Sequence, residues 1–199
     1  MRPRCLSGVV VRPLNFTVRR HPEGSEVKAS VFVGTSLDGF IARADGAFDF
    51  LPPGGGEPHG YEEFMATVDA LVIGRKTYET VLTLDGWPYG KKPTFVLSTH
   101  SLARAPVGAI VERMSGSPVE IVSQLVNRGI QHAYVDGGVT IQRFLQARLI
   151  QRLTITRVPV LIGTGIPLFG AIPRDITLKH IATHQYASGL VKSEYEIAV

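Results

Sequence analysis

Short, wholly apolar runs alternate with stretches of helical period along most of this chain. Val27 to Thr35 is β-branched and apolar and predicts a first strand. Ala70-Leu71-Val72-Ile73, Thr94-Phe95-Val96-Leu97 and Ala133-Tyr134-Val135 predict three more. Between them lie amphipathic patterns. Tyr61, Phe64, Met65 and Val68 fall at i, i+3, i+4 and i+7, and a second helix is expected over Lys76 to Leu82. Ile121, Val122, Leu125 and Val126 mark a third helix that ends near Gly129. Ile141, Phe144, Leu145 and Leu149 share one face of a fourth, Thr140 to Arg148. Strands apolar on both faces, alternating with such helices, imply a parallel sheet covered on both sides.

The end of the chain reads differently. Leu153 to Val160 and Ile176 to Thr183 predict strands. Leu190 to Val199 sets Val191, Ser193, Tyr195 and Ile197 against Lys192, Glu194 and Glu196. Clean alternation describes a half-exposed strand, here expected to pair antiparallel with 176–183 at a sheet edge. Residues 45–60 carry Pro52-Pro53-Gly54-Gly55-Gly56 and Pro58, which predicts a long loop of the kind used as a lid. Residues 1–26 show no sustained period and are expected to form a poorly ordered basic extension to a domain over 27–199.

Charge adds little to this picture. The formal net charge is +4, and five Arg against two Glu in residues 1–26 account for +3 of it. The remaining body is about +1, which is weak evidence for nucleic acid, since a binding face needs basic residues clustered on the fold itself, and no nucleic-acid partner is expected. Cys5 is the lone cysteine, so internal disulfides and multi-cysteine zinc sites are excluded. The stretch from Val158 to Ile172 is too short and too broken by Pro and Gly for a membrane span. Leu6 to Val11 is a poor signal-peptide core, and a cytoplasmic protein is expected. His59 has no partner at a metal-binding spacing, and no metal is expected.

Chemistry in an open α/β sheet sits at the carboxyl ends of strands. Four such ends are polar and small. Gly74-Arg75-Lys76-Thr77 suits a phosphate, or equally a turn with a threonine cap and solvated cations. Asp136-Gly137-Gly138-Val139-Thr140 permits close passage of a dinucleotide, or is a tight turn; it lacks the full G-x-G-x-x-G fingerprint. Leu97-Ser98-Thr99-His100 could hold a ribose or its 2′-phosphate, or form a polar turn. Ser36-Leu37-Asp38-Gly39 offers a carboxylate for substrate hydroxyls or a proton, or is an ordinary Asp-Gly turn.

Taken in order, these pieces resemble the dihydrofolate reductase superfamily, and within it the reductase domain of bifunctional riboflavin-biosynthesis enzymes and its stand-alone relatives. The likeness runs from Val27 to Val199. It is carried by Ser36 to Ala42, Val72 to Glu79, Phe95 to Thr99, Val135 to Gly138, and Val158 to Phe169. The resemblance implies a three-layer α/β/α fold on a mixed, mostly parallel sheet of about eight strands, with an antiparallel C-terminal edge. It implies NADPH as hydride donor, a small-molecule substrate and a homodimer. By similarity, Gly74, Arg75, Lys76 and Thr77 contact cofactor phosphates, and Leu97, Ser98 and Thr99 face the adenosine end. Gly137, Gly138, Val139 and Thr140 pass under the pyrophosphate, while Thr35, Phe40 and Ile41 lie near the nicotinamide. Asp38 takes the catalytic position, binding the ribose-derived part of a phosphoribosylamino-pyrimidine. The carboxylate that folate reducers place after the first loop has no match in this chain. The zinc-binding motifs of the fused deaminases are missing too, which excludes deamination by that mechanism. A dihydrofolate or pterin reductase, and a nucleotide-binding module without turnover, are the alternatives.

Overall fold

The computed structural model describes residues 27–52 and 58–198. The expected extension at 1–26 lies outside them. In chain order the elements are β1 (Lys28–Ser36), β2 (Phe40–Ala42), α1 (Tyr61–Thr67), β3 (Ala70–Gly74), α2 (Arg75–Val81), β4 (Thr94–Leu97) and β5 (Val111–Met114). Then follow α3 (Pro118–Asn127), β6 (His132–Asp136), α4 (Gly138–Gln146), β7 (Arg152–Val158), β8 (Ile166–Pro167), β9 (Leu178–Gln185) and β10 (Val191–Ile197). Eight strands form one sheet in the order β5-β4-β3-β6-β1-β7-β10-β9, and β2 and β8 form a separate two-stranded ribbon. The first six strands of the large sheet run parallel, and β10 pairs antiparallel with both β7 and β9.

The apolar runs become the central strands because neither of their faces meets water. Ala70, Leu71, Val72 and Ile73 are all fully buried. On one face Val31, Val33 and Val135 pack with Ile121 and Leu125 of α3 and with Ile141 and Phe144 of α4. On the other, Leu71, Ile73 and Tyr134 pack with Tyr78 and Val81 of α2 and with Tyr61 and Phe64 of α1. Ser117 caps α3 in a reciprocal box: the Glu120 amide donates to the Ser117 hydroxyl, and the Ser117 amide donates to the Glu120 carboxylate at 2.7 Å. Asp69 ties the strand starts together by accepting from the amides of Gln131 and His132.

Three strands escape the periodicity. β5 reads Val-Glu-Arg-Met and sits at an exposed edge with one buried residue, so its sequence has no apolar run to show. β2 and β8 are three and two residues long, and only each other's backbone defines them. The opposite edge strand, β9, has all eight residues exposed.

Phe144 is 1% exposed and lies between sheet and helix. Phe144→Ala is expected to cost about 3–5 kcal/mol through lost burial and an unfilled cavity. Urea unfolding measures this, and a loss below about 1 kcal/mol would show that this layer is not packed as described.

Candidate active site

The tips of β3, β4 and β6 finish side by side. Register places Gly74 opposite Leu97 and Ile73 opposite Asp136, so the glycine-bearing turns after β3 and β6 are neighbours. Their contact is reciprocal. A Cβ on Gly74 would come 2.9 Å from Thr140 Oγ1 at the start of α4, and a Cβ on Gly137 would collide with Thr77 Oγ1 of α2. Each helix start therefore lays a threonine over the other's glycine. Gly137 also adopts φ 93°, a backbone region that a side chain disfavours. A Cβ on Gly138 would press on Ile166 at 2.9 Å and Ile41 at 3.1 Å, so the β2–β8 ribbon lies against this turn.

Along the rim, Arg75 and Lys76 are exposed, and Arg75 pairs with Glu79 at 2.8 Å. An exposed i,i+4 pair of this kind is worth roughly 0.3–0.5 kcal/mol, so an arriving anion can readily displace it. Thr77 is half-buried and Thr140 buried, while Val139 is exposed. α4 begins at Gly138 with no side chain capping its first amides, which leaves those donors open to an anion. Leu97 and Ser98 are half-buried and Thr99 is exposed. Ser98 folds back on His100, donating to its carbonyl and accepting from its amide.

At the end of β1, Thr35 is buried, and Phe40 and Ile41 are half-buried on β2. Asp38 lies on the surface, and its carboxylate accepts from the amides of Ile162 and Gly163 at 3.2 and 2.8 Å. The Ser36 hydroxyl and then these amides hold its carboxyl below the usual carboxylate range. In this state Asp38 fastens the 161–165 loop to the first turn. Asp49 of the long loop is paired with Arg43.

Asp136 is the residue that motif reading underrates. It was visible only as the first letter of Asp-Gly-Gly. Burial pushes its carboxyl up to about 6, and the Gly137 amide, which donates to Oδ1 at 2.7 Å, offsets only part of this. The residue keeps an accessible edge although protein surrounds its carboxyl. Burial and then the nearby Asp136 charge push the Tyr61 hydroxyl up to about 12, and Tyr89 and Tyr134 are raised by the same two causes.

A cavity of about 730 Å³ opens elsewhere, between β1, β7, β10 and β9 near Lys28, Arg152, His184 and Lys192. It lies between the sheet face and α1 with the segment before it, away from the strand tips. Its cations Arg152 and Lys192 already face Glu194 at 3.0 and 3.7 Å. The tips, with their exposed cations and open helix start, are the chemically equipped region. Among the described residues, no group of three or more His, Cys, Asp or Glu is placed to hold a metal, and no helix is long and apolar enough to cross a membrane.

Strand order, rim and ribbon define a dihydrofolate-reductase-like α/β domain, a fold shared with Enterococcus faecalis dihydrofolate reductase solved with NADP(H) (TM-score 0.60, 15% identity, 86% of this chain and 97% of that one). The chain belongs to the RibD C-terminal domain family, whose model matches residues 28–192. A Shewanella sp. PV-4 protein provisionally named for riboflavin biosynthesis superposes with a TM-score of 0.77 at 36% identity, over 87% of this chain and all of that one. The uncharacterized protein YwjB of Bacillus subtilis strain 168 is 31% identical over 83% of this chain and 95% of its own length. The deaminase/reductase of Thermotoga maritima shares the fold at 14% identity, with a TM-score of 0.66, over 87% of this chain and 57% of that larger protein.

The raised Asp136 carboxyl has a stability consequence. Its folded value lies above its unfolded value, so the folded state favours the protonated form. Stability is then greatest below about pH 4 for this group and falls as pH rises through about 6, by up to about 3 kcal/mol. Asp136→Asn is expected to remove that part of the pH dependence, read from urea midpoints at pH 4.5 and 8. Equal pH dependence in both proteins would refute the burial assigned to this carboxyl.

Proposed function

We propose that this protein is an NADPH-dependent reductase of the riboflavin-biosynthesis type, resembling 5-amino-6-(5-phosphoribosylamino)uracil reductase. The observation that carries this reading is the alignment of Gly74, Leu97 and Gly137 at one rim, beside two exposed cations. Family membership and the riboflavin-biosynthesis naming of relatives support it. The residues present fit the cofactor: glycines where a chain must pass closely, a helix start without a side-chain cap, and Arg75 and Lys76 for phosphate. When bound, NADPH supplies a hydride to an electrophilic C=N or C=O carbon.

In this reading Arg75, Lys76 and Thr77 hold phosphates together with Gly74. Gly137, Gly138, Val139 and Thr140 carry the pyrophosphate, and Leu97, Ser98 and Thr99 face the adenosine. Thr35, Phe40 and Ile41 bound the nicotinamide side. Asp38 presents its carboxylate to substrate hydroxyls, which replace one or both of the Ile162 and Gly163 amides it now holds. The domain's task is to hold donor and acceptor in contact and exclude water.

A homodimer belongs to the same proposal. β9, an edge strand exposed along its whole length, offers a surface for a second copy. Light scattering of the purified full chain should give twice the 21.6 kDa protomer mass, and a monomer at micromolar concentration would remove this part.

Fluorescence titration should show NADPH binding much more tightly than NADH. Replacing both Arg75 and Lys76 with alanine should weaken NADPH about 10- to 100-fold, from roughly 1.5–3 kcal/mol for charge-assisted hydrogen bonds to its 2′-phosphate. NADH binding should change little. Equal losses for both would refute the assignment of these two cations. Turnover of a phosphoribosylamino-pyrimidinedione in preference to dihydrofolate separates the riboflavin-type reading from a folate or pterin reductase. Tight NADPH binding with no turnover on a broad carbonyl and imine panel would indicate a binding module.

A further inference from the structure

The cations at the rim serve the cofactor, and Asp38 offers the substrate only a carboxylate. A cation for the substrate lies inward of the rim, on the face of the sheet that α1 covers. There one row of side chains crosses three strands. In register, Gly34 of β1 stands beside Thr156 of β7, and Thr156 beside Lys192 of β10. The next row holds Phe32, Thr154 and Glu194 in the same order. Phe32, Thr154, Lys192 and Glu194 all line the cavity of about 730 Å³. Thr156, two residues from Thr154 on the same strand, points to that side too. Gly34 directly precedes Thr35, the residue on the nicotinamide side, and Leu51 of the long loop covers it, with Cδ2 2.7 Å from where a Cβ would stand.

Lys192 is enclosed, although lysines ordinarily reach into water. Its side chain is only 16% exposed. Its Nζ lies against the start of α1, 2.9 Å from where a Cβ on Gly60 would stand, so a glycine makes room for the ammonium. The nearby carboxylate does not satisfy it. Glu194 accepts from Arg152 through Oε2 at 3.0 Å, and its Oε1 stays 3.7 Å from Lys192 Nζ, beyond hydrogen-bond distance. Two further polar atoms at this end are buried without a hydrogen-bond partner among the described residues. One is Thr156 Oγ1, and the other is Nε2 of His59, whose ring packs edge-on against Tyr186 of the cavity wall. Buried groups without partners are rare, and an unpaired enclosed cation is costly. A ligand that accepts from them removes both penalties. Around the cavity Lys28, Arg152 and Lys192 outnumber Glu63 and Glu194, so the charge of the lining favours an anion.

We propose that Lys192 is the anchor for an anionic group of the substrate. A carboxylate or phosphate accepts from Lys192 Nζ and from the Thr156 hydroxyl, while the reducible C=N or C=O group lies over Gly34 in the space that Leu51 yields. The assignment rests on the reductase reading. Two strand spacings of about 4.8 Å separate Gly34 from Lys192, so roughly 10 Å lies between their backbones. A planar ring with one charged substituent covers that length. The Phe32 and Phe64 rings, stacked at 5.0 Å, supply an apolar wall beside it. Lys192 selects acceptors by their charge and takes no part in hydride transfer.

Three planar aldehydes of similar shape test the anchor: 4-formylbenzoate, 4-formylphenyl phosphate and the neutral methyl 4-formylbenzoate. Calorimetry measures their binding to the full chain, both cofactor-free and with NADP⁺, which supplies no hydride. Wild type should bind one or both anions about 10- to 100-fold more tightly than the ester, the usual worth of a charge-assisted hydrogen bond. The tighter anion identifies which group the anchor takes. Lys192→Met, neutral and of similar length, should erase the preference while leaving the affinities for the ester and for NADP⁺ unchanged. Lys192→Arg should keep most of it, and Thr156→Val should weaken the preferred anion by a smaller factor. An ester bound as tightly as the anions, no binding of any of the three, or a preference that survives Lys192→Met would overturn the anchor. A chain that binds NADPH but shows no such preference would overturn the anchor alone and leave the reductase reading standing. A chain that binds no NADPH yet keeps a Lys192-dependent preference would overturn the reductase reading, and the substrate role with it, while leaving an anion site in the cavity.

Discussion

The site depends on a close approach of two strand–helix turns. Thr77 can lie over Gly137, and Thr140 over Gly74, only because neither glycine has a Cβ. That interlock fixes the starts of α2 and α4 relative to each other and to the sheet beneath. It also explains the composition of the rim. Bulk is excluded from the glycine positions, and hydroxyls small enough to nest there occupy the threonine positions. A larger side chain at any of the four would push the helix starts apart and separate the groups that the rim collects.

The burial of the central strands supports this arrangement. Helices on both sides of the fully apolar strands cover both faces and hold the strands at fixed depth. The strand tips therefore end level, and their polar residues meet water together. The two turns differ in electrostatic character. The β3 turn presents exposed cations, whereas the β6 turn presents a carboxyl that burial keeps from ionising easily. An elongated anion and a neutral reacting group could lie side by side along such a rim without competing for the same side chains.

The C-terminal half of the sheet follows other rules. β10 is half-buried on both faces, with Lys192 and Glu194 enclosed along with Val191 and Tyr195, while every residue of β9 is exposed. The 161–165 loop that joins this half to the rim is held by Asp38 through backbone amides. A carboxylate already satisfied by two amides is an adjustable clasp rather than a fixed strut, since a hydroxyl can exchange for an amide at small net cost.

The order of strands and helices, the parallel centre and the antiparallel edge were legible from periodicity, because burial on both faces, on one face, or on one stripe of a helix leaves distinct patterns of apolar residues. The glycine-bearing tips were legible as short polar breaks after apolar runs, and the resemblance named the fold they belong to. β5, β2 and β8 were not legible, since edge and ribbon strands are defined by backbone pairing with distant segments and carry no apolar signature. Asp136 was not legible either. An aspartate before two glycines looks like any turn residue, and its raised carboxyl arises from burial at the end of β6, which only the packing of segments distant in sequence produces. Local sequence fixes what each segment must hide from water; only the folded arrangement decides which polar groups lose it as well.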